Sequence, residues 1–312
     1  MDSVLHDNEI PVDIELVGQL VVAQFPQFAE LTLSRLPASG SSNVLFRLGE
    51  DLLVRLPRQP GGGDGIAKER RWLPHFKQRL PVAVPEVLEV GKPGFGYSEQ
   101  WSIVRWLEGD LVKAYAGDRP TDVDRNALAH SLADVILALQ SVEVSEEASR
   151  DPSLRWYRGG ALADFDKVTR RNIEKCRSIE DLGLDLDAAL TYWDRAMQLP
   201  GVHKPGPTRW YHSDLVAENL LVTDGRLSAV LDFGGLAVGD PTIDLHGMWE
   251  ILDSPSREIL RSRLNVEDAQ WARGRAWALG IALGAFTYYW AKMPGRMQDR
   301  LAMAQAVLAD DG

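Results

Sequence analysis

The hydrophobic period of this chain changes once, and that change limits the folds open to it. Up to about residue 105, apolar residues come in short alternating runs separated by turn signals; beyond about 108 they recur at helical spacing. LTLSRLPASGSSNVLFRLGEDLLVRLPR reads as strand, turn, strand, turn, strand, with turns at Pro37-Ala38-Ser39-Gly40 and Gly49-Glu50-Asp51. VPEVLEVG and WSIVRWLEG add two strands joined by GKPGFG. A short amphipathic helix over 12–25 comes first. Another, around Ile66–Leu73, follows GGGDG at 61–65, which reads as a loop and lacks the G-x-G-x-x-G spacing.

Downstream, Leu128, Leu132, Val135, Ile136 and Leu139 mark a helix. Further helices are expected near 161–177, 185–198 and 256–263, and over 267–309 with a break at Pro294-Gly295. One β-hairpin interrupts them: NLLVTDGRLSAVLDF, turning at Asp224-Gly225. The expectation is an α+β chain in two domains. A β-rich one spans 1–105, a mainly helical one spans 109–312, and a joint lies at about 103–108. Nucleotide sites often form in the cleft such a division creates.

The 312 residues suffice for two cores. With 45% hydrophobic and 25% charged residues the composition is that of a globular protein. A net charge of −11 argues against a nucleic-acid partner. Cys176 is the one cysteine, so no internal disulfide forms, which fits a reducing cytoplasm. The N-terminus MDSVLHDNEI lacks a signal-peptide core. The apolar stretch Trp277 to Trp290 falls short of the roughly 20 residues a membrane span needs and reads as a buried helix.

The chemistry concentrates in WYHSDLVAENLLVTDGRLSAVLDFGG, residues 210–235. It holds His212-x-Asp214, then Asn219 five residues after the Asp, then Asp232-Phe233-Gly234. Protein-kinase catalytic loops have the same residue types in the same order. Phosphoryl transfer needs a group that orients the attacking hydroxyl and takes its proton, and Asp214 suits that role. It also needs hard oxygen donors for magnesium, which the Asn219 amide and the Asp232 carboxylate supply. The intervening hairpin returns Asn219 and Asp232 to one end. His212 is expected to hold the loop by hydrogen bonds rather than to move protons.

The segments HSDLVAENLLV and VLDFGGLAVGDPTIDL resemble the aminoglycoside phosphotransferase family, whose pattern is close to H-G-D-x-x-x-x-N, I-D-[FW] and G-D-P-x-x-D. The resemblance covers roughly residues 15–310. It implies a protein-kinase-like fold, with a β-rich N-lobe and a mainly helical C-lobe, and ATP as donor, with GTP the alternative. By position it makes Asp214 the base and Asn219 and Asp232 the metal ligands. It gives Asp240 and Asp244 structural roles. It puts Ser39-Gly40-Ser41-Ser42-Asn43 at the phosphate-covering turn, with Ser41 and Ser42 as contacts. Arg55 stands where kinases carry a strand lysine, Glu69 is its helix partner, and Val104-Arg105-Trp106-Leu107 is the hinge. Adenine is then expected on the backbone of Arg105 and Leu107.

Ser213 departs from the family's usual Gly, and Val216-Ala217-Glu218 from its frequent His-Pro-Gly. Glu218 is expected to face solvent. Trp156-Tyr157, Asp164, Asp166, Trp249 and Trp290 are acceptor candidates by composition alone. The resulting expectation is an ATP- and magnesium-dependent O-phosphotransferase, acting on an aminoglycoside or related antibiotic. The alternatives are a kinase of a macrolide, choline-like, homoserine-like or sugar acceptor, and a nucleotide-binding pseudokinase. A protein kinase proper is disfavoured, because Asp240 follows Asp232 by eight residues and leaves no room for a long activation loop.

Overall fold

The computed structural model describes residues 5–36, 40–115 and 123–310. Most of the expected turn at Pro37 to Gly40, Ser39 included, lies outside the described residues. The chain divides into two compact units, one of Met1–Lys77 with Ala83–Glu108, the other of Gln78–Val82 with Gly109–Gly312.

The first unit is built on a five-stranded antiparallel sheet. Its strands are β1 (Leu33–Arg35), β2 (Asn43–Leu48), β3 (Leu52–Pro57), β4 (Val87–Gly91) and β5 (Trp101–Arg105), in the spatial order β1-β2-β3-β5-β4. Strand β2 shows the alternation read from its sequence: Val44, Phe46 and Leu48 are buried and their neighbours are not. Those side chains meet Val17, Leu20 and Val21 of helix α1 (Ile14–Gln24), which Asp13 caps through a 2.8 Å bond from the Leu16 N–H. Helix α2 (Gly63–Trp72) starts inside GGGDG rather than after it. The reason is tertiary: the Glu99 carboxylate accepts the N–H groups of Gly61 (3.0 Å) and Gly63 (3.3 Å), satisfying donors that glycine-rich sequence leaves open.

The second unit holds β6 (Asp110–Leu111), α3 (Arg125–Ser141), α4 (Glu146–Arg150), α5 (Asp166–Cys176), α6 (Leu186–Ala196), β7 (Arg209–Tyr211), the hairpin β8 (Leu220–Thr223) and β9 (Arg226–Val230), β10 (Ala237–Gly239), α7 (Met248–Ile251), α8 (Ser254–Leu264), α9 (Asp268–Tyr289) and α10 (Pro294–Ala309). Strands β7 and β10 pair antiparallel, and β6 adds to the hairpin. These three strands are two or three residues long, too short for a period to register in sequence. In α9, Trp277, Ala278, Leu279, Ala282, Leu283 and Phe286 are buried, so its apolar stretch is a core helix. No helix among the described residues is long and apolar enough to cross a membrane.

Helix α7 packs tightly beneath the loop after β7. A Cβ on Gly247 would collide with the carbonyl oxygen of Leu215, one residue past Asp214. Gly247→Ala is therefore expected to destabilise the protein by about 1–3 kcal/mol, the cost of overpacking against unyielding backbone, as read from urea unfolding.

Candidate functional site

Strand β7 delivers His212, Ser213 and Asp214 onto the loop, and two buried groups fix that loop's path. The Asp244 carboxylate accepts the N–H of His212 at 2.9 Å and of Ser213 at 2.6 Å. The His212 ring bridges in the other direction. Its Nε2 lies 2.9 Å from the Leu231 carbonyl, its Nδ1 lies 3.2 Å from the Asp214 N–H, and Phe233 packs edge-on against it at 4.5 Å. With Nε2 donating, Nδ1 is left to accept, so His212 is neutral and ties the loop to the end of the hairpin.

Both oxygens of Asp214 are held. Oδ1 receives Nη1 of Arg158 at 3.0 Å, and Oδ2 receives the Asn219 Nδ2 at 3.1 Å. That same Arg158 Nη1 also reaches the Ser213 carbonyl at 2.7 Å. Burial would raise the Asp214 carboxyl, but Arg158, followed by Arg300 and Arg296, more than offsets it and holds the group well below the usual carboxylate range. His246 is fully buried; its Nδ1 bonds the Ile243 carbonyl at 2.7 Å and its Nε2 sits 3.9 Å from Asp214 Oδ1. Burial, reinforced by Arg158, pushes its imidazole down to about 3, so it is neutral beside the carboxylate.

The hairpin does what its length suggested. The Leu231 N–H donates to the Asn219 carbonyl at 2.8 Å, which sets Asp232 beside Asn219. Asn219 spends its Nδ2 on the Asp214 carboxylate and carbonyl, leaving the amide oxygen as its remaining donor atom toward a cation. Asp232 adopts φ +53, a left-handed conformation rare outside glycine, and accepts the Gly234 N–H at 3.2 Å. An amide oxygen and a carboxylate oxygen at one hairpin end fit a hard cation arriving with phosphates. Among the described residues no three His, Cys, Asp or Glu side chains converge into a self-sufficient metal cage.

In the first unit Arg55 and Glu69 form a buried ion pair, and Arg55 Nε lies 3.3 Å from the hydroxyl of its cross-strand partner Ser102. The turn carrying Ser41 and Ser42 is tied down through its carbonyls: Ser41 to His6 Nε2 (2.7 Å), Ser42 to the Arg58 N–H (2.9 Å). The Arg105 N–H donates to the Glu86 carbonyl at 3.0 Å and its side chain pairs with the Glu86 carboxylate, whereas half-buried Leu107 lies beyond the last ladder bond.

Glu218 does not simply face solvent. It pairs with Arg296 and, at 3.3 Å, with Arg300, both on α10, because a carboxylate beside two guanidiniums a helical turn apart is better paired than hydrated. Glu250 accepts the Ala217 N–H at 3.0 Å and pairs with Arg300 in turn. Asp240 caps the turn after it, through Thr242, and holds the Gly206 N–H at 2.7 Å. Of the acceptor candidates, Trp249 is core, with its N–H on Asp310, and Asp166 is engaged by Arg170 and Trp193. Trp290 packs edge-on against Phe286. Trp156 and Tyr157 stay exposed. Arg158, His246, Arg296 and Arg300 carry no motif that names them. The one signal was Gly159-Gly160 after Arg158: Gly159 backs so closely on Gly239 of the G-D-P segment that a Cβ on Gly239 would lie 2.7 Å from the Gly159 carbonyl oxygen.

An aspartate on a braced loop, two hard oxygen donors at a hairpin end, and an α+β fold with a β-sheet N-lobe and helical C-lobe fit a protein-kinase-like phosphotransferase. The model described as the phosphotransferase enzyme family (APH) matches residues 34–277, and the chain belongs to that family, whose members act on hydroxyls of small molecules. Among solved structures, the GDP complex of wild-type aminoglycoside 2'-phosphotransferase-IIIa is similar at a TM-score of 0.72, with 18% identity over 96% of this chain and 100% of that one. The macrolide 2'-phosphotransferase MphH from Brachybacterium faecium, an apoenzyme, is similar at 0.62, with 21% identity over 97% of this chain and 100% of that one. ADP-bound aminoglycoside phosphotransferase APH(2'')-Ib gives 0.62, with 18% identity over 95% and 99%. At these identities the likeness concerns the fold. No curated protein is significantly similar to the chain.

Ser213 sits at φ +77, where the family's usual glycine is unstrained, and its buried hydroxyl has no hydrogen-bond partner among the described residues. Ser213→Gly is therefore expected to stabilise the protein by about 1 kcal/mol in urea unfolding, the combined relief of backbone strain and an unmet hydroxyl less the entropy glycine loses.

The two buried titratable groups act on stability in opposite senses. An unfolded imidazole gains its proton below about 6.5, whereas that of His246 resists until about 3, so acidification across that window favours unfolding. Burial pushes Asp244 up to about 7; an unfolded aspartate titrates near 3.9. Its contribution is therefore greatest below about 4 and is lost as pH rises to 7. His246→Gln removes the first effect and keeps the second. Unfolding measured across pH should show the variant gaining on the wild type as pH falls from about 6.5 to 4.

Proposed function

We propose that this chain is an ATP- and magnesium-dependent O-phosphotransferase of a small molecule, with GTP as the alternative donor. The observation that carries the reading is Asp214, whose two oxygens are separately fixed by Arg158 and Asn219. A carboxylate this acidic is a weak proton acceptor in the ground state. It suits a loose phosphoryl transfer, in which the hydroxyl keeps its proton until late. Asp214 accepts a hydrogen bond from that hydroxyl, aims the oxygen at phosphorus, and takes the proton as the new bond closes.

The Asn219 amide oxygen and the Asp232 carboxylate would hold magnesium, which neutralises phosphate charge when bound. Arg55, its fork held on the two Glu69 oxygens, would turn its charge and its remaining N–H groups to the phosphates. The turn at Ser41 and Ser42 covers the phosphates. Adenine bonds the backbone at Arg105 and Leu107; at Arg105 the carbonyl serves, since its N–H is engaged by Glu86. In this reading the first unit binds nucleotide and the second carries catalysis and the acceptor. A binder that does not transfer would have no use for an aspartate held at both oxygens. The fold neighbours include enzymes named for aminoglycosides and for macrolides, so antibiotic hydroxyls are the acceptors to try first.

Asp214→Ala should lower turnover by about 10²–10⁴-fold while leaving nucleotide binding in place, as followed by nucleoside diphosphate release and by nucleotide titration. Unchanged turnover would sink the assignment of Asp214.

A further inference from the structure

We propose that Trp156 and Tyr157 form the platform on which the acceptor ring lies, and that the acceptor is a weakly charged ring-bearing alcohol rather than a polycation. The inference rests on the phosphotransferase reading above. The two side chains are 43% and 50% exposed, among the most exposed large apolar residues described. Their rings are 5.1 Å apart, and Tyr157 is stacked on Phe165 at 5.2 Å and 3°, with Phe165 leaning in turn on the buried Trp277. An exposed aromatic pair rigidly backed in this way offers a flat surface at little entropic cost. It adjoins the base: the Tyr157 hydroxyl accepts from Arg158 Nε at 3.1 Å, and Nη1 of the same guanidinium meets Asp214 at 3.0 Å. The segment is pinned by its backbone, with Trp156 O accepting the Tyr211 hydroxyl at 3.3 Å and Gly159 O accepting the Asp240 N–H at 3.0 Å. A ring seated on Tyr157 therefore has its hydroxyls one guanidinium's span from Asp214.

The charges beside that platform point to the acceptor's class. Asp214 is paired with Arg158, Glu218 with Arg296 and Arg300, and Glu250 with Arg300. Three guanidiniums thus pair with Asp214, Glu218 and Glu250, and the fourth carboxylate at the loop, Asp244, is fully buried on two backbone N–H groups. Burial lowers Arg300 to about 10, which still leaves it protonated at neutral pH. A polycation needs carboxylates in excess, and here each of the four is already matched by a guanidinium or by backbone donors. Asp164 lies beside the platform near Gly160 and can match a single positive charge.

The test uses the full chain with magnesium and ATP and three probes: methyl glucoside (no charge), erythromycin (one amine) and kanamycin (several amines). Phosphate transfer to one or both of the first two in preference to kanamycin is expected. Trp156→Ala and Tyr157→Ala should each raise the KM of the accepted probe about ten-fold, the loss of one aromatic contact, while the KM for ATP holds. Tyr157→Phe, which keeps the ring, should recover most of that loss. Preference for kanamycin, or an acceptor KM indifferent to both alanine variants, overturns the proposal. So does failure of both weakly charged probes while slow magnesium-dependent ATP hydrolysis persists, and that result leaves the phosphotransferase reading standing. Wild-type protein that turns over no ATP with any probe or with water defeats that reading as well.

Discussion

The candidate site hangs on one buried carboxylate. Asp244 takes two consecutive N–H groups, from His212 and Ser213, at 2.9 and 2.6 Å. Two donors received by one rigid acceptor fix the peptide planes on either side of His212, and with them the direction in which the chain enters Ser213 and Asp214. The grip has a backbone consequence, since Ser213 is held at φ +77, outside the comfortable range of a side-chain-bearing residue. It also has an electrostatic one. A carboxylate this deep titrates near 7 despite its two donors, and Asp214 adds to the upward push. The loop is held by a group that is itself expensive to bury.

That expense explains the arrangement of charge around Asp214. Asp244, Asp214, Glu218 and Glu250 all serve one short loop, and left alone they would repel one another in a medium that screens poorly. Arg158, Arg296 and Arg300 relieve the crowding, each from outside the loop. His246, buried and neutral, keeps a bare nitrogen toward Asp214 without adding a fourth cation. The acidity of Asp214 follows directly: a carboxylate surrounded by guanidiniums is stable as an anion and reluctant to accept a proton. A mechanism that asks it to orient first and accept the proton late is consistent with that environment.

The parts of this organisation that show in the sequence are those with a period or a spacing. The five strands of the first sheet, the hairpin around Asp224-Gly225 and the long helices were legible because apolar residues repeat along them. Asp214, Asn219 and Asp232 were legible because one hairpin fixes their separation. Contacts made across sequence distance were not. Helix α2 begins inside GGGDG because Glu99, far along the chain, caps it. Strands β7 and β10 are three residues each and exist through pairing with one another. Glu218 looked solvated because the arginines that bind it come 78 and 82 residues later, at positions 296 and 300.

The departure of the loop from its family pattern and the arginines that sequence reading missed are two sides of one arrangement. Leu215-Val216-Ala217-Glu218 contains no cation and adds an anion, so a loop of this composition cannot balance its own aspartate. The balance is brought in by tertiary contact: one arginine from the segment after Trp156-Tyr157, two from the last helix. Moving the positive charge off the loop and onto those segments couples the base to the surface beside it. Arg158 cannot shift without moving both the Asp214 carboxylate and the Tyr157 hydroxyl it also holds. In the proposed reaction, a ring that settles on Tyr157 would act on the same guanidinium that holds Asp214, so acceptor binding and the aim of Asp214 would be set by one side chain rather than by two independent sites.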